Sequence, residues 1–500
     1  MTAAALLLLL LLPAPSASAE GVADAAGLET GVRRLVETLN VLERRLAEPF
    51  NPSDALYRGA LPAMVRTLDP HSAFLDPEQF ESLREMQRST ETGFGSVVSL
   101  SPGRVTVLQT LPESPSAKSG MAPGDEIVVL NGYQLAHLGV EQLVGLLSQA
   151  RRQKVEVLVK RPSFPRLIPL TLVPEELADK SVPLSFFPKE GFGYVKVKSF
   201  EGKTDQELRE AIESLGGDRL KGLVLDLRDN PGGLIEAAVR MAAMFLEPGS
   251  RILWIQGRDG PREEVRVPEG IDRFNFPMAV LIDEKTASAA ELVTGALQDH
   301  DRAVVVGAKS FGKGLVQSVF DLSEGAGLAL TTALYLSPSG RPIQKPWDDC
   351  RDYQYHSCAE DDESGEFFSD SGRELASSGG GITPDRVVQP RGYSRFELYL
   401  VGSGAILDFA RDYVRRVGDV PEDFEVDAKM LDDFQFYLSR RGARVSISEW
   451  TAASGFIRRK LLQEIFNLSL GVDRGDQVEL EADPLVRAAL AELERRRADR

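Results

Sequence analysis

Histidine and cysteine are scarce in this 500-residue chain, with four of the first and two of the second. That leaves little material for a zinc centre. Cys350 and Cys358 share one polar stretch. In an exported protein they can close a local disulfide, or they can stand as two free thiols. His356 lies between them, but a fourth ligand and a usual ligand spacing are missing, so no metal is expected. An excess of positive charge is also absent. The net charge is −17, which argues against nucleic acid as a partner. No internal repeat is evident, and nothing beyond residue 12 is long and apolar enough to cross a membrane.

The apolar run that does exist is at the N-terminus. Leucines fill positions 6–12, and Ala17-Ser18-Ala19 supplies small residues before Glu20. This pattern predicts a signal peptide over residues 1–19 and an exported, periplasmic protein with no integral membrane span after cleavage. No Lys or Arg precedes the leucines, so an uncleaved anchor or a different start is the competing reading. No cysteine follows the cleavage site, so a lipid anchor is not indicated there.

Five hundred residues exceed one ordinary core, and the periodicity divides them. Val32, Leu35, Leu39, Leu42 and Leu46 form a helical stripe; helices are also expected over 53–68 and 73–88. Residues 20–90 thus read as an N-terminal helical region. From Gly93 the period turns to strands, with runs at 95–100, 105–110, 127–130, 155–160 and 167–172 and a helix over 140–150. From 191 onward strands and helices alternate, which predicts an α/β layered core over 179–390. Its strands fall at 192–197, 222–226, 278–282, 303–306, 328–335 and 386–388. Residues 345–380 interrupt that core as an acidic insertion that carries both cysteines. Its acidic run lacks the ordered ligand spacing of a calcium loop. Residues 391–500 read as amphipathic helices at 395–416, 424–441, 446–467 and 484–497, which pack on the core or on another subunit; a homo-oligomer through the helical regions is one outcome.

Three segments carry chemistry. In Asp226-Leu-Arg-Asp-Asn230-Pro-Gly-Gly233 a buried strand enters a glycine turn ahead of a helix. Backbone N–H groups in such a turn can meet a developing oxyanion, although alone it reads as a tight strand-to-helix turn. No Gly-Lys-Ser/Thr follows it, so a phosphate cradle is not indicated. Ser288 falls at the start of a helix, where free N–H groups favour an anion; alone, it reads as a helix cap. Lys313, in Phe311-Gly312-Lys313-Gly314, changes the balance. Burial lowers the pKa of a lysine, and a neutral amine can take the proton of a serine hydroxyl. Gln317 offers an amide that orients the amine without adding charge.

Segment 91–178 resembles a PDZ domain through Gly93-Phe94-Gly95-Ser96, Ser116-Ala117…Gly120 and Pro123-Gly124-Asp125-Glu126-Ile127…Asn131-Gly132. The resemblance implies capture of a peptide C-terminus by Gly93, Phe94, Gly95 and Ser96 and by an edge strand. The three chemical segments, with Leu68-Asp-Pro-His-Ser72, Gln298-Asp299, Val304-Val-Val-Gly307 and Gly381-Ile-Thr-Pro-Asp385, resemble the carboxy-terminal processing peptidases over about residues 28–390. That resemblance implies a crotonase-like α/β core with an inserted PDZ domain. It implies Ser288 as nucleophile, Lys313 as base and Gln317 as orienting residue. The oxyanion hole would use Ala289 with Gly232 or Gly233, and no cofactor is needed. The substrates would be proteins or peptides with accessible C-termini. The lead-in Asp283-Glu-Lys-Thr-Ala287 departs from the small-residue run usual in that family, so Lys285 and Thr286 are expected to bear on the mouth of the site. Two other classes stay open: a peptide-binding protein on an inactive core, and an acyl-CoA enzyme of crotonase type, against which the leader and the PDZ-like segment argue.

Overall fold

The computed structural model describes residues 25–48, 50–88, 90–161, 164–258, 260–346, 365–376, 380–418 and 420–498. The expected leader and the Cys350–Cys358 stretch lie outside them.

The apolar runs of the central region become a parallel sheet. Strands Phe192–Lys196, Gly222–Asp226, Met278–Ile282 and Ala303–Gly307 pair side by side in that order. The last three are buried at every residue, so they read as continuous hydrophobics, as strands covered on both faces must. Arg386–Val387 extends one edge in parallel, and Leu184–Lys189 closes the other as an antiparallel hairpin. Helices Thr204–Ser214, Ile235–Ala243 and Ala289–Asp299 cover one face through residues such as Leu208, Ala238 and Leu292. The far helix Pro484–Ala498 covers the other, setting Leu485, Val486, Ala489 and Leu493 against Tyr194, Val224, Leu281 and Val304. The C-terminal region therefore completes the α/β core.

A second, antiparallel sheet abuts this core. Its central strand, Gly327–Leu336, pairs with Leu315–Asp321 along its length and with Arg251–Gly257 and Ala73–Leu75 in turn. Residues 73–75, expected in a helix, are thus a strand. The helix starts only at Pro77, where a proline lacking an N–H is tolerated.

Residues 96–172 form a separate antiparallel module of five main strands with the helix Val140–Ala150. Strands Thr90–Gly93 and Glu175–Ala178 pair at its base and return the chain to the core. The module is latched on both sides. Glu85 of the helix Pro77–Arg88 accepts hydrogen bonds from Arg152 and Thr92 at 2.6 Å each. Arg104 donates to Asp408 of the C-terminal helices at 2.5 Å. The helix expected over 395–416 is broken at Ser403-Gly404, where Gly404 takes a φ of +66°, and an additional helix appears at Val472–Ala482. The described part of the acidic insertion is packed: Arg373 pairs with Asp301 and Asp385, and Arg341 donates to the Ala376 carbonyl at 2.9 Å. The stripe of helix Ala25–Arg45 stays exposed at Leu28, Val32, Leu35 and Leu42.

Leu493 is fully buried under the sheet. Leu493→Ala is expected to cost about 2–5 kcal/mol, measured as a lower urea midpoint.

Candidate active site

The carboxyl ends of the parallel strands meet the second sheet, and the three chemical segments converge there. Ser288 follows the strand Met278–Ile282 and directly precedes the helix Ala289–Asp299. Its φ is +60°, a left-handed conformation that strains a non-glycine residue by about 1–3 kcal/mol. The strain is held by neighbours on both sides. Ala287 N–H donates to the Asn230 carbonyl at 2.9 Å, and Thr286 Oγ1 donates to the Leu227 carbonyl at 2.9 Å. Thr286 is therefore buried and ties the lead-in to the glycine turn, instead of facing the mouth. Lys285 does reach solvent and pairs with Asp229 at 2.7 Å.

The Ser288 hydroxyl does not cap its helix and has no hydrogen-bond partner among the described residues. The residue is completely buried. Gly232 packs against it so closely that a Cβ there would sit 2.9 Å from the Ser288 Cβ and 3.0 Å from the Ala289 nitrogen. At Gly233 a Cβ would fall 2.0 Å from the Phe200 carbonyl oxygen, so that position accepts only glycine. The Gly232 N–H donates to Asn230 Oδ1 at 2.8 Å, so that donor is already engaged within the turn. Asp226 anchors the turn below. It accepts from Tyr194 at 2.6 Å and from Arg228 in a two-pronged pair. Burial pushes its pKa up, but Lys196 and Arg228 outweigh that and hold it below the ordinary value.

Lys313 lies in the segment leading to the strand Leu315–Asp321, which carries Gln317. Both are buried, and Lys313 Nζ donates to Gln317 Oε1 at 3.1 Å. Burial lowers the lysine pKa to about 8, against the opposing pull of Asp69 and Glu291. The structure thus brings Lys313 and Gln317 into direct contact and leaves Ser288 Oγ outside their hydrogen bond.

Glu291 had no role assigned from the sequence, although it stands in the Ser288-Ala-Ala-Glu291 segment. It is fully buried on the first turn of the Ser288 helix. Its carboxylate accepts the N–H groups of Ser288 at 2.7 Å, Gly312 at 2.6 Å and Lys313 at 2.8 Å, and the Ser310 hydroxyl at 2.5 Å. The readable signal was the capping-box spacing of a Ser with a Glu three residues on. The Tyr335 hydroxyl, also buried, donates to the Lys313 carbonyl at 2.6 Å and fixes the same segment from the other side.

At the base of the 96–172 module, Gly93, Phe94, Gly95 and Ser96 sit at a cleft of about 330 Å³ also lined by Val98, Leu130, Leu147 and Val157. Strand Ser96–Ser101 is an outer strand of its sheet, bordering that cleft.

Residues 191–347 match the model of peptidase family S41. The chain is 32% identical over 315 residues to the carboxyl-terminal-processing protease of Synechocystis sp., covering 61% of this chain and 72% of that one. It is 34% identical over 297 residues to the carboxy-terminal-processing protease of Bartonella bacilliformis, covering 58% and 67% respectively. A solved photosystem II D1 C-terminal processing protease is 25% identical, covers 71% of this chain and 92% of its own, and superposes with a TM-score of 0.39. The protein is a serine-type peptidase, acting on protein substrates. Within that class, the chain belongs to the carboxy-terminal processing peptidases of family S41.

Glu291→Gln would set an NH2 group, on whichever side it turns, against at least one backbone N–H that can only donate. It is expected to lower stability by roughly 3 kcal/mol in thermal melting. Gly233→Ala, whose Cβ has no space, is expected to yield little folded protein in the same measurement.

Proposed function

We propose that this chain is an exported serine endopeptidase that cuts protein substrates near their C-termini through an acyl-enzyme. The neutral amine of Lys313 takes the proton of Ser288 Oγ as that oxygen attacks the scissile carbonyl. The N–H groups of Ala289 and Gly233 receive the oxyanion, and the lysine ammonium returns its proton to the leaving amine. Water then hydrolyses the ester by the same route. The observation that carries this reading is the buried hydrogen bond from Lys313 Nζ to Gln317 Oε1, within the segment that Glu291 ties to Ser288. An amide oxygen accepts one N–H of the amine and leaves its lone pair free to face the serine.

The module at 91–178 acts as a PDZ-type domain. Its apolar cleft and outer strand suit an extended peptide with an apolar C-terminal residue, and loading it gates the site. The burial of Ser288 supports gating, because a substrate reaches a hydroxyl with no exposed surface only after something moves. That same burial is the observation favouring the rival reading, a peptide-binding protein on an inactive core. An active-serine phosphonate probe separates them: labelling of Ser288 with peptide present supports the enzyme, and none under any condition supports the scaffold.

Ser288→Ala is expected to abolish cleavage of a protein with an unstructured C-terminal tail, read by mass spectrometry of the products. Only about a tenth of a lysine with a pKa near 8 is neutral at pH 7, so kcat/KM is expected to rise with pH through a midpoint near 8. The same shift acts on stability. The folded pKa lies below the unfolded 10.5, so the native state is penalised below about pH 8 and recovers as pH climbs toward 10.5. Lys313→Met is therefore expected to be inactive yet more heat-stable than wild type at pH 7.

A further inference from the structure

The amide of Gln317 has two chemically different ends, and something must decide which one faces Lys313. Its Nε2 donates to the backbone carbonyl of His71 at 2.8 Å. A carbonyl can only accept, so that end must be the NH2 and Oε1 must face the amine. Flipping the amide would set oxygen against oxygen at His71 and N–H against N–H at Lys313. The orientation of the base's partner is thus decided by the N-terminal Asp69-Pro-His-Ser72 turn, outside the central α/β region.

That turn is itself tightly held. Asp69 Oδ1 accepts the N–H groups of His71 and Ser72 at 2.7 Å each and the Thr331 hydroxyl at 3.2 Å, and Oδ2 accepts the Ser72 hydroxyl at 2.5 Å. Ser72 Oγ in turn accepts the Thr331 N–H at 3.0 Å. Thr331 is the cross-strand partner of Gln317. The hydrogen bonds therefore close a ring from Gln317 to His71, through Asp69 and Ser72 to Thr331, and back across the sheet to Gln317. We infer that Asp69 and Ser72 are positioning residues of the peptidase, holding the His71 carbonyl so that the Gln317 amide presents its oxygen to Lys313. The inference rests on the Ser288–Lys313 reading above.

The charged and titratable groups around the amine fit this role. Asp69 and Glu291 both favour the ammonium form. The imidazole of His71 does not add a competing cation. Burial, then the nearby Lys313 and Lys345, outweigh Asp69 and lower its pKa to about 3.

The test uses the full chain with Asp69→Asn, Ser72→Ala, Lys313→Ala and Ser288→Ala. It measures thermal melting, phosphonate labelling, and kcat and KM against pH on an unstructured peptide. Displacing a catalytic group by about 1 Å can cost a hundredfold. Asp69→Asn is expected to lower kcat by about 10- to 100-fold with KM within about twofold. Its acid limb should move to lower pH, because a charge that holds the proton on Lys313 is gone. Ser72→Ala is expected to lower kcat in the same direction, and it carries the comparison should Asp69→Asn fail to fold. Wild-type kcat and acid limb in the folded variants, or a loss that tracks only the melted fraction, overturns the positioning role. Wild-type labelling of Lys313→Ala overturns the Ser–Lys reading itself. An unlabelled Lys313→Ala beside a wild-type Asp69→Asn overturns the positioning role alone.

Discussion

One buried carboxylate joins what two stretches of chain bring to the site. Glu291 has no exposed surface, and its oxygens accept from Ser288, Ser310, Gly312 and Lys313. Burying a charge without such partners is expensive; with four donors around it the carboxylate becomes a rigid node. The node works because Glu291 sits one helical turn after Ser288, on a helix whose every residue is buried. The serine's strained backbone and the lysine's loop are therefore referenced to one point. Ser310 extends the node, since its hydroxyl accepts the Ile382 N–H at 2.6 Å and draws in the segment beyond the acidic insertion.

The second sheet and the outer helices keep that node dry. Lys313 carries a depressed pKa because Gln317, Tyr335 and the strand Gly327–Leu336 surround it where water would otherwise be. On the opposite face of the parallel sheet, Arg228 ties the glycine turn to Asp483, just before the last helix, at 2.6 Å. The glycine turn is thus braced from the C-terminal region as well as from the core.

Much of this architecture was legible because its signals are local. The parallel strands at 222–226, 278–282 and 303–307 are short apolar runs, broken only by Asp226 at the end of the first, and each lies beside a glycine or proline signal. The glycines at 232 and 233 mark a backbone approach that any side chain would block. Other parts left weak traces. Strands Leu184–Lys189, Glu263–Arg266 and Leu315–Asp321 went unread because each is partly exposed and holds no apolar run longer than two residues; Arg251–Gly257 does carry the apolar run Ile252–Ile255 and went unread all the same. Ser288's positive φ is invisible in a residue type that normally avoids it. The helix Val472–Ala482 has only two buried residues to betray a face. Residues 73–75 looked helical because Pro77 and the residues after it are, and strand pairing with 327–329 is a tertiary fact.

The hydrogen bond between Gln317 and the His71 carbonyl spans 246 positions of sequence, and the one between Thr331 and Asp69 spans 262. Contacts of that separation carry the largest loop-closure cost and make folding slow. A growing or half-collapsed chain can assemble the Ser288 turn and the Lys313 loop within one contiguous stretch, yet it lacks the carbonyl that orients the amide until its N-terminal turn docks. With the roles proposed for Ser288, Lys313 and Gln317, hydrolytic competence is then coupled to completion of the fold, and the chain is least able to cut its neighbours at the stage when its own backbone is most open to being cut.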